Sequence, residues 1–195
     1  MIKAILSVVI LSTLTAFSTF ADEYKVDPKA SNVKWTAEKV TGGHWGHIDI
    51  KSGNLIVDNG KITDGQFTTD MSSIVVKDLE PGEWNTKLLN HLKSEDFFHV
   101  AKHKEADFDI RIIKDLGNGK IKVTGDLTIK GIKKQITFDT DYKINGNKIT
   151  ANAVMVVDRT RYDIKYGSGS FFDSLGDKTI YDEFTLNINL VANKI

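Results

Sequence analysis

The sequence predicts an all-β domain, a long antiparallel sheet that carries one short helix. Three observations predict it. Apolar and polar residues alternate over most of the chain, the two-residue period of a half-buried strand. Short turn signals separate the alternating runs: DNG at 58–60, DG at 64–65, GNG at 117–119 and NGN at 145–147. One segment breaks the alternation and repeats at helical spacing. A single apolar face means that one side of the sheet is covered. Such a sheet either stacks as a sandwich or closes into a barrel, which removes its edges.

The chain opens MIKAILSVVILSTLTAFSTFA. Lys3 gives a positive start, Ala4 to Phe17 is mostly apolar, and Thr19-Phe20-Ala21 has the small-x-small form of a cleavage site. The apolar run is too short for a membrane span, so residues 1–21 read as a signal peptide cleaved after Ala21. Residues 22–195 then form one domain, periplasmic or secreted, with no membrane span of its own. No Cys follows the apolar run, which excludes a lipid anchor on Cys.

Val33, Trp35 and Ala37 share one face of a first strand. In PGEWNTKLLNHLKSEDFF, 81–98, Trp84, Leu88, Leu89 and Leu92 mark one face of a helix that starts after Pro81-Gly82 and ends near Ser94. Phe108, Ile110 and Ile112 resume the strand period. Ile121, Val123, Leu127 and Ile129 follow it, as do Ile136, Phe138, Tyr142 and Ile144. So do Ile149, Ala151, Ala153, Met155 and Val157, and then Ile180, Phe184, Leu186, Ile188 and Leu190.

Composition excludes several classes. Twenty-six basic residues balance 26 acidic ones, so there is no charge excess to draw nucleic acid. The absence of Cys removes disulfides, thiol nucleophiles and Cys-ligated metals. Three of the five histidines lie in HLKSEDFFHVAKH, 91–103. His99 and His103 have metal-site spacing, but Val100 stands where a metalloprotease needs Glu. His44 and His47 could join them only through tertiary contact. The histidines therefore read as polar surface or loop residues, with no metal and no cofactor expected. GSGS, 167–170, lacks the context of a nucleophile elbow or a phosphate loop and reads as a flexible loop. DRTRYD, 158–163, reads as a local ion-pair network, with Arg161 the candidate for holding an anionic headgroup.

What remains is apolar. Large side chains are frequent, among them Trp35, Phe67, Phe97, Phe98, Phe108, Phe138, Phe171, Phe172 and Phe184. Any one of them can be simple core. A barrel of about eight strands, however, can hold one small ligand. Strand parity sends Trp35, Phe108, Leu127, Phe138, Met155 and Phe184 inward. Gly125 and Ala153 flank Leu127 and Met155 on the same faces, which suggests a channel beside them.

The segments VDPKASNVKWTAEKVTGGHWG, GQFTTDMSSI, HLKSEDFFHV, VTGDLTIKGIKKQITFD and DRTRYDIKYGSGSFFDSLGDKTIYDEFTLNINL together resemble the YceI-like family, from about Val26 to Leu190. HLKSEDFF and GDLTIKG are the most specific pieces. Many members read His-Ser after the VDP, where this chain has Ala30-Ser31. The resemblance implies an exported, lipocalin-like antiparallel barrel of about eight strands with one short helix and a long central cavity. It implies a bound polyisoprenoid or other long-chain amphiphile; the ligand expected here is a polyisoprenoid, a quinone tail or a fatty amphiphile, and the absence of a catalytic constellation argues against an enzyme. On that reading Leu88, Leu92, Phe97 and Phe98 close the apolar space and join Phe67, Phe171 and Phe172 in its lining. Two other functions stay open at this point: an extracytoplasmic hydrolytic or metal-assisted enzyme using the histidines, and a filled barrel that acts as a scaffold.

Overall fold

Asn59-Gly60 and Asn118-Gly119 both take positive φ at both residues, the type I′ geometry that lets two antiparallel strands turn back in two residues. These turns and Lys130-Gly131 and Gly146-Asn147 produce a meander. In the computed structural model, which describes residues 21–195, the strands are β1 (Asp22–Val26), β2 (Asn32–Lys39), β3 (Gly42–Asp58), β4 (Lys61–Val76), β5 (Glu105–Gly117), β6 (Lys120–Ile129), β7 (Ile132–Asn145), β8 (Lys148–Asp158) and β9 (Ile180–Lys194). The helix α1 spans Glu83–Lys93. Residues 1–20, and with them nearly all of the expected leader, lie outside the described residues.

The sheet closes on itself. Its order runs β3-β2-β9-β8-β7-β6-β5-β4, and β4 pairs with β3 again. The result is an eight-position antiparallel barrel rather than a sandwich. One position is filled by two segments in line. β1 pairs with the far ends of β3 and β9, as Tyr24 with Leu55 and with Lys194. β2 pairs with their other halves, as Trp35 with Gly46 and with Leu186. Between them Asp27 turns the chain, its Oδ1 accepting the Lys29 and Ala30 N–H groups at 3.0 and 3.2 Å. Ser31 then ties the turn to β9 by accepting the Val191 N–H at 3.0 Å.

Alternation places the core inside. On β6, Ile121, Val123, Leu127 and Ile129 are buried. On β5 the expected face breaks: the register shifts between Ile110 and Ile112, so Ile112 is exposed and Ile113 takes the inner side. A bulge of this kind inserts one residue and reverses parity beyond it. The DG at 64–65 is not a turn. Gly65 lies within β4, where a Cβ would stand 2.8 Å from Leu55 Cδ2 and 3.0 Å from the Asn54 carbonyl.

One end of the barrel is sealed by packing. Ile149 and Ala192 are 0% exposed there, and the Tyr24 hydroxyl crosses to the Gly146 carbonyl at 3.1 Å. The other end carries α1 and the segments 94–104 and 159–179. The Asn85 amide anchors the helix by donating to the Val76 and Leu79 carbonyls at 3.3 and 2.8 Å. Leu92 is buried and Leu88 and Leu89 half-buried, but Trp84 in the first turn faces solvent. Among the described residues, no helix is long and apolar enough to cross a membrane.

The β7–β8 ladder is incomplete. Pairing runs from Asn145 with Lys148 up to Thr140 with Ala153 and stops there. Above it, among the described residues, β7 pairs only with β6 and β8 only with β9. Two side chains bridge the separated edges: Arg161 Nη2 donates to the Gln135 carbonyl at 3.4 Å, and Lys130 Nζ to the Asp163 carbonyl at 3.2 Å.

Candidate functional site: an apolar cavity inside the barrel

The inward rows do not fill the barrel. They leave a cavity of about 210 Å³. Apolar voids of about 150 Å³ already admit small hydrocarbons and exclude water. Ten residues expected from the sequence line it: Trp35, Phe67, Leu92, Phe97, Phe98, Phe108, Leu127, Phe138, Met155 and Phe184. Their phenyl rings form two connected groups. Phe67 stacks on Phe108 at 6.4 Å, Phe108 tilts against Phe138 at 5.4 Å, and Phe98 meets Phe97 at 5.3 Å and Phe184 at 6.3 Å.

The room comes from short side chains. Ala37, Ala106, Ala151 and Ala153 all border the cavity. Gly125 does not contribute room, contrary to expectation. The Phe108 ring lies over it, so that a Cβ there would be 2.4 Å from Phe108 Cζ. Ala153 does: it is half-buried and lies on the cavity wall opposite Thr140.

Three expected lining residues lie elsewhere. Leu88 packs half-buried against the core from the helix and does not reach the cavity. Phe171 and Phe172 are each 50% exposed. Their N–H groups both donate to the Ser168 carbonyl, at 3.2 and 3.0 Å. That turn winds around the buried Ser168 and directs both rings outward, with Lys165 Nζ 5.2 Å from the Phe171 ring.

The cation at the cavity is Arg159, not Arg161. Strand parity continued from Met155 and Val157 sends residue 159 inward, a signal present in the sequence. Arg159 is 2% exposed and borders the cavity beneath the Phe97 ring, 5.8 Å from its centroid. Its Nε donates to the Tyr181 carbonyl at 3.1 Å, Nη1 to Ile164 at 2.7 Å and Nη2 to Ile180 at 3.0 Å. Asp182 lies 3.5 Å from Nη2. Burial draws the guanidinium below its ordinary pKa, against the pull of Asp182 and Asp158. Burial alone would raise the Asp182 carboxyl, but the hydroxyls of Ser168 and Ser170 and the Arg159 charge hold it below its ordinary value. Arg161 leaves the barrel because a 3-10 turn at Arg159–Tyr162 follows β8, started by Asp158 accepting the Thr160 N–H at 2.9 Å. It is exposed and spans to β7.

The histidines are dispersed. His44 Nδ1 bonds Asp78 at 2.7 Å, and His47 Nδ1 bonds the Asn32 side chain at 2.9 Å. His91 packs edge-on against Tyr166 at 4.3 Å. His99 and His103 face each other with ring centroids 5.7 Å apart. Burial, followed by the charges of Lys102, His99 and Lys130, lowers the His103 pKa. Among the described residues, no three His, Asp or Glu side chains gather as a metal site would require.

Similarity to known proteins agrees with this architecture. The family model for the YceI-like domain matches residues 24–192. A UPF0312 protein of Vibrio campbellii is 31% identical over 137 residues, covering 67% of this chain and 68% of the relative. One from Pseudomonas putida strain W619 is 31% identical over 154 residues, covering 75% and 76%. Among solved structures, Burkholderia cenocepacia BcnA superposes with a TM-score of 0.68 at 24% identity, covering 86% of this chain and 99% of the other. A polyisoprenoid binding domain from Saccharophagus degradans, implicated in plant cell wall breakdown, gives 0.63 at 16% identity, covering 88% and 98%. At these identities the two structures show the fold alone. With the family match spanning β1 to β9, the chain belongs to the YceI-like family.

Proposed function

We propose that this protein is an exported binding protein that holds a long apolar chain, a polyisoprenoid, quinone tail or fatty amphiphile, inside its barrel. The observation that carries the reading is the cavity inside the barrel, with its aromatic and aliphatic lining and its four alanines. Burying a hydrocarbon chain there gains about 25 cal/mol per Å² of apolar surface, less the cost of ordering the chain. The description of the S. degradans neighbour as a polyisoprenoid binding domain supports the ligand class. Arg159 shapes the capped end and spends three donors on backbone carbonyls, so its first task is to hold that cap. The dispersal of the histidines favours binding over catalysis.

Native mass spectrometry of the protein purified from its host tests the reading. A mass excess that organic extraction removes is the expected result. Absence of any excess, together with no uptake of a fluorescent long-chain probe, would move the scaffold reading ahead. The export half rests on residues 1–21. N-terminal sequencing of the protein outside the cytoplasm should find Asp22 first.

A further inference from the structure

Packed side chains cover both ends of the barrel, so a long chain needs a way in. Ile149, Ala192 and Tyr24 pack the end beyond the cavity. The opposite end is covered by the buried Phe97, Phe98, Ile164 and Arg159, the last fixed by three backbone carbonyls. Entry at either end would break packed core. The wall offers an alternative where its hydrogen bonds stop.

We propose that the β7–β8 seam above Thr140 is the passage by which a long apolar chain enters and leaves the cavity. This rests on the binding reading above. Along the seam, residues 132–139 of β7 and 154–158 of β8 have no ladder between them. A chain passing there breaks no backbone hydrogen bond, whereas elsewhere along a paired strand it would have to break several. The inner side of the seam is apolar, with Phe138, Ala153 and Met155 bordering the cavity beside it. The outer lip is apolar as well: Val154 and Val156, on the solvent side of β8, are 56% and 48% exposed. The straps across it are exposed side chains donating to backbone carbonyls, from Arg161 to Gln135 and from Lys130 to Asp163. Such contacts can release at small cost.

A second gap in the wall is closed. The β4–β5 pairing covers Gln66 with Asp109 to Asp70 with Glu105, and does not extend toward Lys61. There the inner side chains Ile62 and Ile110 are buried, and Lys61 Nζ bonds Asp115 at 2.8 Å across the gap. At the β7–β8 seam Met155 and Val157 on β8 are buried, but Ile136 and Phe138 on β7 are only half-buried, and among the described residues no ion pair spans the strands there.

The chain contains no Cys, so introduced thiols report on themselves alone. Extending the register from Thr140–Ala153 sets Thr137 opposite Val156, both on the outer face. The test protein is Thr137→Cys/Val156→Cys, joined by a short thiol-reactive crosslinker that reductant cleaves. The control is Asp141→Cys/Asn152→Cys, an outward pair inside the intact ladder. Stopped-flow uptake of a fluorescent long-chain fatty probe is measured for each. The upper tether should slow uptake and release about tenfold, with recovery on reduction, while the control tether leaves both rates unchanged. Unchanged rates under the upper tether, or equal slowing by both tethers, overturn the passage. If the untethered protein takes up no probe at equilibrium, it is the binding reading that fails, and the passage with it.

Discussion

The Trp35 indole N–H reaches across β3 to donate to the Val75 carbonyl on β4 at 3.1 Å. It can do so because the intervening residue is Gly46, Trp35's partner on β3. A Cβ on residue 46 would stand 1.7 Å from the Val75 oxygen and 2.8 Å from Trp35 Cζ2. The clash is with backbone, so no rotamer relieves it. Gly46→Ala should cost about 3 kcal/mol, the upper part of the range for overpacking. Trp35→Phe, which loses only the hydrogen bond and part of the ring, should cost about 1–2 kcal/mol. Urea midpoints of the two variants check the order.

Ala153 borders the cavity and is half-buried. Ala153→Phe adds apolar volume to existing space, so the barrel should still fold. Affinity for a fluorescent long-chain probe should fall about tenfold or more, since the added ring occupies the volume the chain would take. Unchanged binding would place the ligand outside this cavity.

Arg159 and Arg161 are two residues apart and should behave differently. Arg159→Leu leaves the carbonyls of Tyr181, Ile164 and Ile180 without their donor and strands Asp182. A loss of about 3 kcal/mol or more is expected. Arg161→Ala removes one long, exposed bond and should stay within about 0.5 kcal/mol of the parent. Thermal melts of both variants provide the comparison.

Asp78 supplies a pH dependence with a definite sign. Burial alone would raise its pKa, but the Trp45 N–H at 2.8 Å and His44 at 2.7 Å bind the carboxylate and hold the value below the ordinary one. A carboxyl depressed in the folded state contributes fully above its unfolded pKa of about 4, and that contribution disappears as pH falls through the folded value. Asp78→Asn should therefore lose less stability than the parent on going from about pH 5 to pH 3. Urea titrations across that interval measure the difference.

Periodicity alone determined which side of each regular strand is buried. Trp35, Leu127 and Met155 follow from alternation, because a strand with one wet face has no other stable orientation. The helix bounds were equally legible in Pro81-Gly82, the leucine spacing and Ser94. Local pattern does not carry what depends on distant chain. Closure came from pairings such as Tyr24 with Lys194, which no short window contains. The β5 bulge reversed Ile112, the turn around Ser168 turned Phe171 and Phe172 outward, and the 3-10 turn after Asp158 took Arg161 out of the barrel. Each is a place where the backbone leaves the regular period, so parity stops predicting direction. Whether the space beside a small residue is open is also tertiary: Phe108 covers Gly125, whereas Ala153 borders the cavity. The alternating pattern specifies an inside; the side chains that meet there from eight strand positions decide how much of it is left unfilled.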